Sequence, residues 1–390
     1  MTPAARTQAA IELLDQVIAA ARSGGAAADT LVARYFATRR YAGSKDRRAV
    51  RDLVYTAIRR AGDVPASGRA AMLAVAAEDA VIAATFDGSP HGPAPIAAKE
   101  APAAGGVMPA WLAEALAASD VSPVQQAALI DRAPLDVRVN RLLADPAVLT
   151  TTLGGEAIPG LPDALRLPSG MHVEPLAGQV EVQDAGSQIV SLAAGAKPGD
   201  TVIDLCAGGG GKTLALAAAM GNQGRILATD IDRARLSRLA PRTAKAEVTI
   251  VETRLLNPRR EAEALADWTE AADIVLIDAP CSGTGTWRRN PEARWRLTPD
   301  RLGRFAEQQR HVLAVGAPLV RPGGALVYIV CSLLDAEGRE QVDAFLAAHP
   351  GWTAEPLDLP AGSPRGEGLR LDPASHGTDG FFVARLIRPC

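Results

Sequence analysis

Histidine, cysteine and long apolar runs are scarce in this chain of 390 residues, and each scarcity excludes a class of protein. The four cysteines contain no Cys-x-x-Cys pair and the five histidines form no cluster, so the sequence predicts neither a disulfide framework nor a metal site. No run of about 18 apolar residues is present to span a membrane. The N-terminal residues also lack the apolar core of a secretory signal. We therefore expect a cytoplasmic protein with free thiols and no membrane partner.

Charge is distributed unevenly along the chain, although the formal net charge is only -3. Residues 1–60 contain eleven Lys or Arg against five Asp or Glu, so this segment carries +6 and the remaining residues carry -9. A basic arm on an acidic body indicates a nucleic-acid partner, but a solvated helix face has the same composition. The candidate nucleic-acid contacts of this arm are Arg39, Arg40, Lys45, Arg47 and Arg48.

The spacing of apolar residues divides the chain into four parts. Residues 1–88 repeat apolar side chains every three or four positions and are predicted to be helical. Residues 89–107 are rich in glycine and proline and form a predicted linker. Residues 108–185 mix helix and strand signals, as expected for a small α+β middle subdomain. In residues 186–390 short apolar runs alternate with helical stretches, the pattern of a parallel α/β sheet.

Seven strands and four helices are predicted in and around this last part. The strands are placed at 201–205, 225–229, 247–252, 272–278 and 324–331, with a terminal pair near 352–357 and 380–387. The helices are placed at 212–220, 232–240, 299–317 and 336–348. The last strand is expected to lie antiparallel, late in the sheet. Because ligands of open α/β sheets bind beyond the carboxyl ends of the strands, the polar residues that follow them should meet in one crevice.

A glycine loop follows the first strand of this sheet, where residues 206–213 read Cys-Ala-Gly-Gly-Gly-Gly-Lys-Thr. Its ending imitates a phosphate-binding loop, but the first glycine that such a loop requires falls at Cys206. The other interpretation is S-adenosylmethionine, which needs a glycine turn after the first strand and an acid after the second to accept the ribose hydroxyls. Asp230 supplies that acid, and Asp278 ends a further strand. A nicotinamide cofactor is disfavoured because the loop does not fit G-x-G-x-x-G.

Two cysteines also lie at strand ends, Cys281 shortly after Asp278 and Cys331 at the end of the strand 324–331. Carbon 5 of a pyrimidine is a poor nucleophile, but a thiolate that adds to carbon 6 turns the ring into an enamine-like nucleophile. The reaction needs a thiol near the cofactor, an acid at the N3/N4 edge and a base for the carbon 5 proton. Cys331, Cys281 and Asp278 meet these needs. A free cysteine is also often a small buried apolar residue, which is our interpretation of Cys206.

Several segments resemble the Sun/RsmB-like RNA 5-methylcytosine methyltransferases, namely residues 182–188, 204–213, 278–285, 288–291, 328–332 and 379–382. The resemblance covers residues 108–390 and implies a Rossmann-like class I methyltransferase sheet. Residues 1–88 resemble a shortened version of the NusB-like helical domain carried by the ribosomal RNA members, and are expected to bind RNA.

The resemblance implies roles for individual residues. Cys331 is the expected nucleophile, and Cys281 is expected to assist release of the methylated product. The residues that it implies for the cofactor site are Cys206, Ala207, Gly208, Gly209, Gly210, Gly211, Lys212, Asp230 and Asp278.

The sequence departs from the family pattern in three places. Gly209 stands where the family usually has proline, which should loosen the glycine loop without preventing binding. Val330 replaces the usual threonine before the nucleophile. No carboxylate follows Val251 to meet the adenine, and Asn257 is our substitute for it.

Basic residues and tryptophans follow the Cys281 motif closely. Arg288 and Arg289 are the predicted phosphate contacts there, with Trp287 and Trp295 as base-stacking partners. A solvated basic helix with a packed tryptophan is the alternative.

Taken together, these patterns predict a monomeric cytoplasmic enzyme that methylates carbon 5 of a cytosine in RNA, with small-subunit ribosomal RNA as the substrate. Two alternatives stay open. A P-loop-type nucleotide hydrolase would be stabilised by ATP rather than by S-adenosylmethionine. A non-catalytic RNA-binding protein of the antitermination type would transfer no methyl group.

Overall fold

The computed structural model describes all 390 residues, which form two compact units. The first unit comprises residues 1–132 and 286–298, and the second comprises residues 133–285 and 299–390. Residues 89–107 contain no helix, but together with residues 108–132 they lie within the first unit. None of the helices has the length and apolar character that crossing a membrane would need.

The first unit is built from helices, in agreement with the apolar spacing of its sequence. They are α1 (Pro3–Ser23), α2 (Ala28–Ala37), α3 (Ser44–Arg60), α4 (Gly68–Ala76), α5 (Ala80–Ala83), α6 (Ala110–Ala118) and α7 (Pro123–Ala128). The side chain of Thr2 caps α1 by accepting the N–H of Ala5. The core lies between α1, α2, α3 and α4, where Leu13, Leu14 and Val54 are fully buried.

The second unit begins with a small antiparallel sheet. Its strands are β1 (Leu135–Val139), β2 (Glu156–Ile158), β3 (Leu161–Leu167) and β4 (Val180–Val182), in the order β2-β3-β1-β4. The helix α8 (Pro146–Leu153) lies between β1 and β2 in sequence, and α9 (Ala185–Leu192) follows β4.

A nine-stranded sheet forms the rest of the second unit. Its strands are β5 (Thr201–Asp204), β6 (Arg225–Asp230), β7 (Val251–Leu255), β8 (Ala272–Asp278), β9 (Val320–Val330), β10 (Thr353–Glu355), β11 (Ser363–Arg365), β12 (Gly368–Leu371) and β13 (Phe381–Ile387). The connecting helices are α10 (Gly211–Ala219), α11 (Arg233–Leu236), α12 (Leu239–Lys245), α13 (Glu261–Ala264), α14 (Pro299–Gly316), α15 (Arg339–Ala348) and α16 (Pro373–His376).

The strand order is β11-β12-β13-β9-β8-β5-β6-β7, and β10 pairs with β13. The five strands from β7 to β9 are parallel, and β13 is antiparallel to β9, so the prediction for the last strand is confirmed. Ile203, Leu227 and Val275 are fully buried, which explains why the central strands read as apolar runs. The carboxyl ends of β5, β6, β8 and β9 carry the glycine loop, Asp230, Asp278 and Cys331.

Two predictions near β7 are wrong in detail. The strand begins at Val251 rather than at 247, because Glu247 adopts a left-handed φ of 55° in the turn that follows α12. The helix predicted over 232–240 is divided into α11 and α12.

Candidate active site

The glycine loop crosses the carboxyl end of β5 and enters α10. Gly210, which precedes α10, has a φ of 86°, a left-handed conformation that favours glycine. A Cβ at this position would also lie 2.1 Å from Leu239 Cδ1. In contrast, a Cβ at Gly211 would meet no heavy atom within 4 Å. The N-terminus of α10 therefore opens onto free space, where it favours a negatively charged group.

Asp230 ends β6 beside this loop and is only 5% exposed. One carboxylate oxygen accepts the N–H of Gly208 at 2.8 Å, and the other accepts the N–H of Asp232 at 2.7 Å. A carboxylate has about four lone-pair sites, so each oxygen can accept one more donor. Two vicinal hydroxyls, such as those of a ribose, fit this arrangement.

Lys212 and Asp278 form an ion pair next to the glycine loop. The Nζ atom of Lys212 lies 2.7 Å from Asp278 Oδ2, and the lysine side chain is 9% exposed. Burial alone would lower the pKa of Lys212, but the negative groups around it, first of all the Asp278 carboxylate, together raise that pKa above its usual value. Lys212 therefore keeps its charge at neutral pH. It joins the cofactor loop to the strand end that precedes Cys281.

The two cysteines predicted as catalytic lie together at the ends of adjacent strands. Their Sγ atoms are 3.3 Å apart, and both side chains are half-buried. The hydrogen bond with Cys331, followed by burial, raises the pKa of the Cys281 thiol well above its usual value. Cys281 therefore keeps its proton at neutral pH. The two sulfurs are within hydrogen-bond distance of each other, and either can be the donor.

Two other ionisable groups lie beneath the loop. Asp204 is fully buried; one of its oxygens accepts the Thr213 hydroxyl at 2.6 Å and the other has no partner. Burial raises the pKa of Asp204 to about 7. Burial also raises the pKa of the Cys206 thiol, which packs against the apolar core of the sheet. Cys206 is thus a neutral thiol, in line with its interpretation as a small apolar residue.

One charged residue of this region went unnoticed in the sequence. Glu337, six residues after Cys331, is completely buried and accepts hydrogen bonds from both Ser282 and Ser332. An acidic residue six positions after a strand-end cysteine is a weak signal, and no spacing rule connects it to Ser282.

Asn257 follows β7 at the same edge of the sheet. Its side chain is exposed, and its backbone carbonyl accepts the N–H of Arg260 at 3.0 Å. Its contact with an adenine stays a prediction.

The predicted stacking wall after Cys281 is wrong. Trp287 is fully buried and Trp295 belongs to the core of the helical unit, so neither ring is available to a base. Arg288 is 6% exposed, and its burial removes it from contact with phosphate. Arg289 is half-buried and its role as a phosphate contact stays a prediction. The tryptophans supply core volume rather than a binding surface.

The basic arm, by contrast, faces solvent. Arg40, Lys45, Arg47 and Arg48 are exposed, while Arg39 is half-buried over the ring of Tyr35 at 3.6 Å. The arm also carries an aromatic side chain whose role the sequence did not suggest. Tyr41 is 74% exposed and is the only aromatic among the large apolar side chains at the surface.

Comparison with known proteins identifies the family. The model of the family described as 16S rRNA methyltransferase RsmB/F matches residues 191–387. The chain belongs to the RsmB/F family. The resemblance inferred from the sequence motifs is confirmed, and so is the fold class, a Rossmann-like methyltransferase sheet with an N-terminal helical domain.

Individual RsmB/F relatives match a longer part of the chain. It is 37% identical over 272 residues to the probable ribosomal RNA small subunit methyltransferase B of Synechocystis, which is 65% of this chain and 59% of the relative. It is also 37% identical over 294 residues to ribosomal RNA small subunit methyltransferase B of Xylella fastidiosa, which is 72% of this chain and 68% of the relative.

A solved structure matches the fold over almost the whole length. The crystal structure of PH0851 superposes with a TM-score of 0.78 at 25% identity and covers 99% of both chains. The match with the Synechocystis relative, however, spans about three fifths of that protein.

Proposed function

We propose that this protein transfers a methyl group from S-adenosylmethionine to carbon 5 of a cytosine in RNA. The observation that carries the proposal is the pair of thiols 3.3 Å apart at the ends of β8 and β9, beside a glycine loop and its acidic partner. Transfer to an amino or hydroxyl group needs no thiol. A nucleotide hydrolase has less support, because the lysine that would meet phosphate is bonded to Asp278 at 2.7 Å.

The residues around the glycine loop fit the proposed cofactor. The N-terminus of α10, with residues 206–212, would hold the carboxylate of the methionine moiety. Asp230 would accept the ribose hydroxyls with its two remaining lone-pair sites. Asn257 would face the adenine, and Asp278 would border the methyl donor. When bound, the cofactor supplies an electrophilic methyl group on a sulfonium.

Cys331 is the proposed nucleophile. Its sulfur would form a bond with carbon 6 of the cytosine, and the electron pair of the C5–C6 double bond would become available at carbon 5. Asp278 would meet the N3/N4 edge of the base as the charge of the ring changes. Carbon 5 would then take the methyl group.

Cys281 is the proposed partner in product release. In that step the Cys281 sulfur would take the proton from carbon 5 and pass its own proton to the sulfur of Cys331, 3.3 Å away, while the C5–C6 double bond forms again and the bond between carbon 6 and Cys331 breaks. The hydrogen bond with Cys331 and burial raise the pKa of the Cys281 thiol, so Cys281 holds the proton that this step uses.

The helical unit is the proposed RNA-binding part, comparable to a shortened NusB-like domain over residues 1–88. Its exposed cations and Tyr41 offer contacts to phosphates and to a base. We propose small-subunit ribosomal RNA as the substrate, because relatives are named for it. A cytoplasmic monomer is the corresponding proposal for location and assembly.

The test uses the purified full-length chain with radiolabelled S-adenosylmethionine and either naked 16S ribosomal RNA or small ribosomal subunits, and bisulfite sequencing locates the product. Cys331→Ala should abolish both methylation and the covalent RNA adduct. Cys281→Ala should accumulate an adduct that survives denaturing, reducing electrophoresis. Cys390→Ala, which removes an exposed thiol, is the matched control and should behave as the wild type.

Three outcomes would contradict the proposal. An adduct in Cys331→Ala but not in Cys281→Ala would reverse the two roles. Full activity in both variants would reject the thiol mechanism. Absence of any methylation by the wild type, with ATP rather than S-adenosylmethionine raising the melting temperature, would reject the function.

A further inference from the structure

The residues that directly follow the two cysteines meet at one buried carboxylate. Ser282 donates its N–H to Glu337 Oε1 at 2.8 Å and its hydroxyl to Glu337 Oε2. Ser332 donates its hydroxyl to the same Oε2 atom at 2.6 Å. Glu337 thus bonds to the loop of Cys281 and to the loop of Cys331 at the same time, although the loops are 50 residues apart in sequence.

The carboxylate is fully satisfied by protein donors. Gln309, on α14, donates to Glu337 Oε1 at 3.1 Å and also to the carbonyl of Pro280 at 2.9 Å. With the two serines this gives four donors for two oxygens, which is the capacity of an ionised carboxylate. Glu337, Gln309, Ser282 and Ser332 are all buried, and among the side-chain oxygens of these four residues only Gln309 Oε1 has no partner.

A second set of bonds carries this order further into the loops. The hydroxyls of Thr284 and Ser332 are 3.0 Å apart, and the Thr284 hydroxyl accepts the N–H of Leu333 at 2.9 Å. The backbone carbonyl of Glu337 accepts the hydroxyl of Tyr328, on β9, at 2.6 Å. Hydrogen bonds to a charged acceptor are roughly twice as strong as neutral ones, so the carboxylate dominates the network.

Resting on the proposed function, we propose that Glu337 is a positioning residue, which holds the two thiols at the separation that the reaction needs. Glu337 does not itself contact either sulfur through any bond in the structure. It fixes the serine that follows each cysteine, and therefore the direction in which each cysteine side chain leaves the backbone. A carboxylate is suited to this task because it accepts from both loops and donates to neither.

Glu337→Gln is the informative variant because it preserves shape and removes the charge. The amide can keep one acceptor oxygen, but its NH2 group faces serine hydroxyls that donate in the wild type. We expect kcat for methyl transfer to fall by about 100-fold, the loss associated with a displacement of about 1 Å in an active site. The KM for RNA and the affinity for S-adenosylmethionine should stay unchanged, because Glu337 lies outside the cofactor loop. Ser332→Ala, which removes one donor and leaves the carboxylate, should show a smaller fall in kcat of the same kind.

A measurement that needs no RNA reads the thiol geometry directly. Diamide oxidises a pair of adjacent thiols to a disulfide and takes up the two electrons and two protons itself. In the wild type, Cys281 and Cys331 should form this disulfide quickly, as followed by mass spectrometry of the linked peptides. Glu337→Gln should form it at least several times more slowly.

Asp335→Asn is the matched control, since Asp335 lies in the same loop and is buried, but it accepts bonds from Arg339 and Arg365. It should retain the wild-type kcat and the wild-type rate of disulfide formation. Wild-type values of both quantities in Glu337→Gln would overturn the inference. If the wild type methylates no RNA, the proposed function fails, while the rate of disulfide formation still decides whether Glu337 positions the thiols. If Glu337→Gln does not fold, Ser332→Ala decides it in the same way.

Discussion

Two arginine-rich segments of the helical unit have similar compositions and opposite environments. In residues 39–48 the cations are exposed except for the half-buried Arg39, and Arg40, Lys45 and Arg48 form no ion pair. In residues 287–296 most side chains are buried or half-buried. Arg294 is completely buried, and it donates to the carbonyls of Ile58 and Ala61 at 2.7 Å each.

The buried segment acts at the ends of helices. Ile58 lies in the last turn of α3, and Ala61 is the residue that directly follows this helix. Arg294 therefore donates to carbonyls that have no partner within the helix. Glu292 accepts the N–H of Ala28, the first residue of α2, at 2.9 Å. Arg296 donates to the carbonyl of Ala26 at 2.6 Å. Charge in this segment therefore stabilises the helical unit, whereas Arg40, Lys45 and Arg48 are exposed and can meet a partner.

Substitution of Arg294 should produce the largest effect on stability. Arg294→Ala leaves the buried carbonyl of Ile58 without its donor, at about 1–3 kcal/mol, removes one of the two donors to the Ala61 carbonyl, which also accepts from Trp295 at 3.2 Å, and opens a cavity. We expect a destabilisation of about 3–5 kcal/mol, measured as a lower melting temperature or denaturant midpoint. Arg48→Ala, its exposed counterpart, should change stability by less than about 0.5 kcal/mol. If Arg294→Ala is as stable as the wild type but binds RNA more weakly, residues 287–296 form an RNA-binding surface after all.

The exposed segment should show the reverse behaviour. A triple variant of Arg40, Lys45 and Arg48 to alanine should leave the melting temperature unchanged and weaken RNA binding. Each phosphate that the variant no longer neutralises should reduce the slope of log K against log salt by about 0.7–0.9. Fluorescence anisotropy with a 16S ribosomal RNA fragment at several salt concentrations measures this slope. An unchanged slope would mean that residues 39–48 are simply a solvated helix face.

The same contrast explains how far the sequence could be interpreted. The crevice was predictable because strand ends impose their own geometry: Asp230, Asp278, Cys281 and Cys331 each follow an apolar run, and parallel strands bring such positions to one edge. The separation of the thiols and the ion pair between Lys212 and Asp278 could not be predicted, because both depend on how side chains from different strand ends are oriented.

The prediction for the segment after Cys281 was wrong because residue composition does not show whether a side chain faces solvent or the core. Arg294 and Trp295 could equally cover a surface or fill a core, and the decision depends on α3, more than 230 residues earlier in sequence. Glu337 was missed for the same reason, since its partner Ser282 lies 55 residues away. Both contacts join residues that are far apart in sequence, so no local periodicity could predict them.

Tyr41 allows residues 39–48 and residues 287–296 to be compared through their aromatic side chains. It is the exposed aromatic of the exposed segment, whereas Trp287 and Trp295 are the buried aromatics of the other. Tyr41→Ala should cost about 1–3 kcal/mol of RNA-binding free energy if the ring stacks on a base, or about 5- to 150-fold in Kd. Tyr41→Phe should retain most of the affinity. Equal affinity of the alanine variant and the wild type would remove the ring from the interface.

Arg242, a half-buried arginine, contacts the cofactor loop at the position of the smallest predicted effect. This guanidinium donates to the carbonyl of Gly209 and reaches Glu181 at 2.6 Å, so it holds the loop where the family usually has proline. Gly209 lies in a turn that the Gly210 N–H closes onto the Ala207 carbonyl at 2.9 Å, and its φ is not left-handed. Its missing Cβ would meet only Arg242 Nη1, at 3.4 Å.

Gly209→Pro should therefore stabilise the protein, because proline restricts the unfolded chain without straining the folded turn. We expect about 0.4–1 kcal/mol, seen as a rise of about 1–3 °C in melting temperature, with the shift caused by S-adenosylmethionine unchanged. Gly210→Pro is the matched control and should destabilise, since its φ of 86° is far from the value that proline requires. A lower melting temperature for Gly209→Pro would mean that Arg242 has selected a loop conformation that proline does not fit.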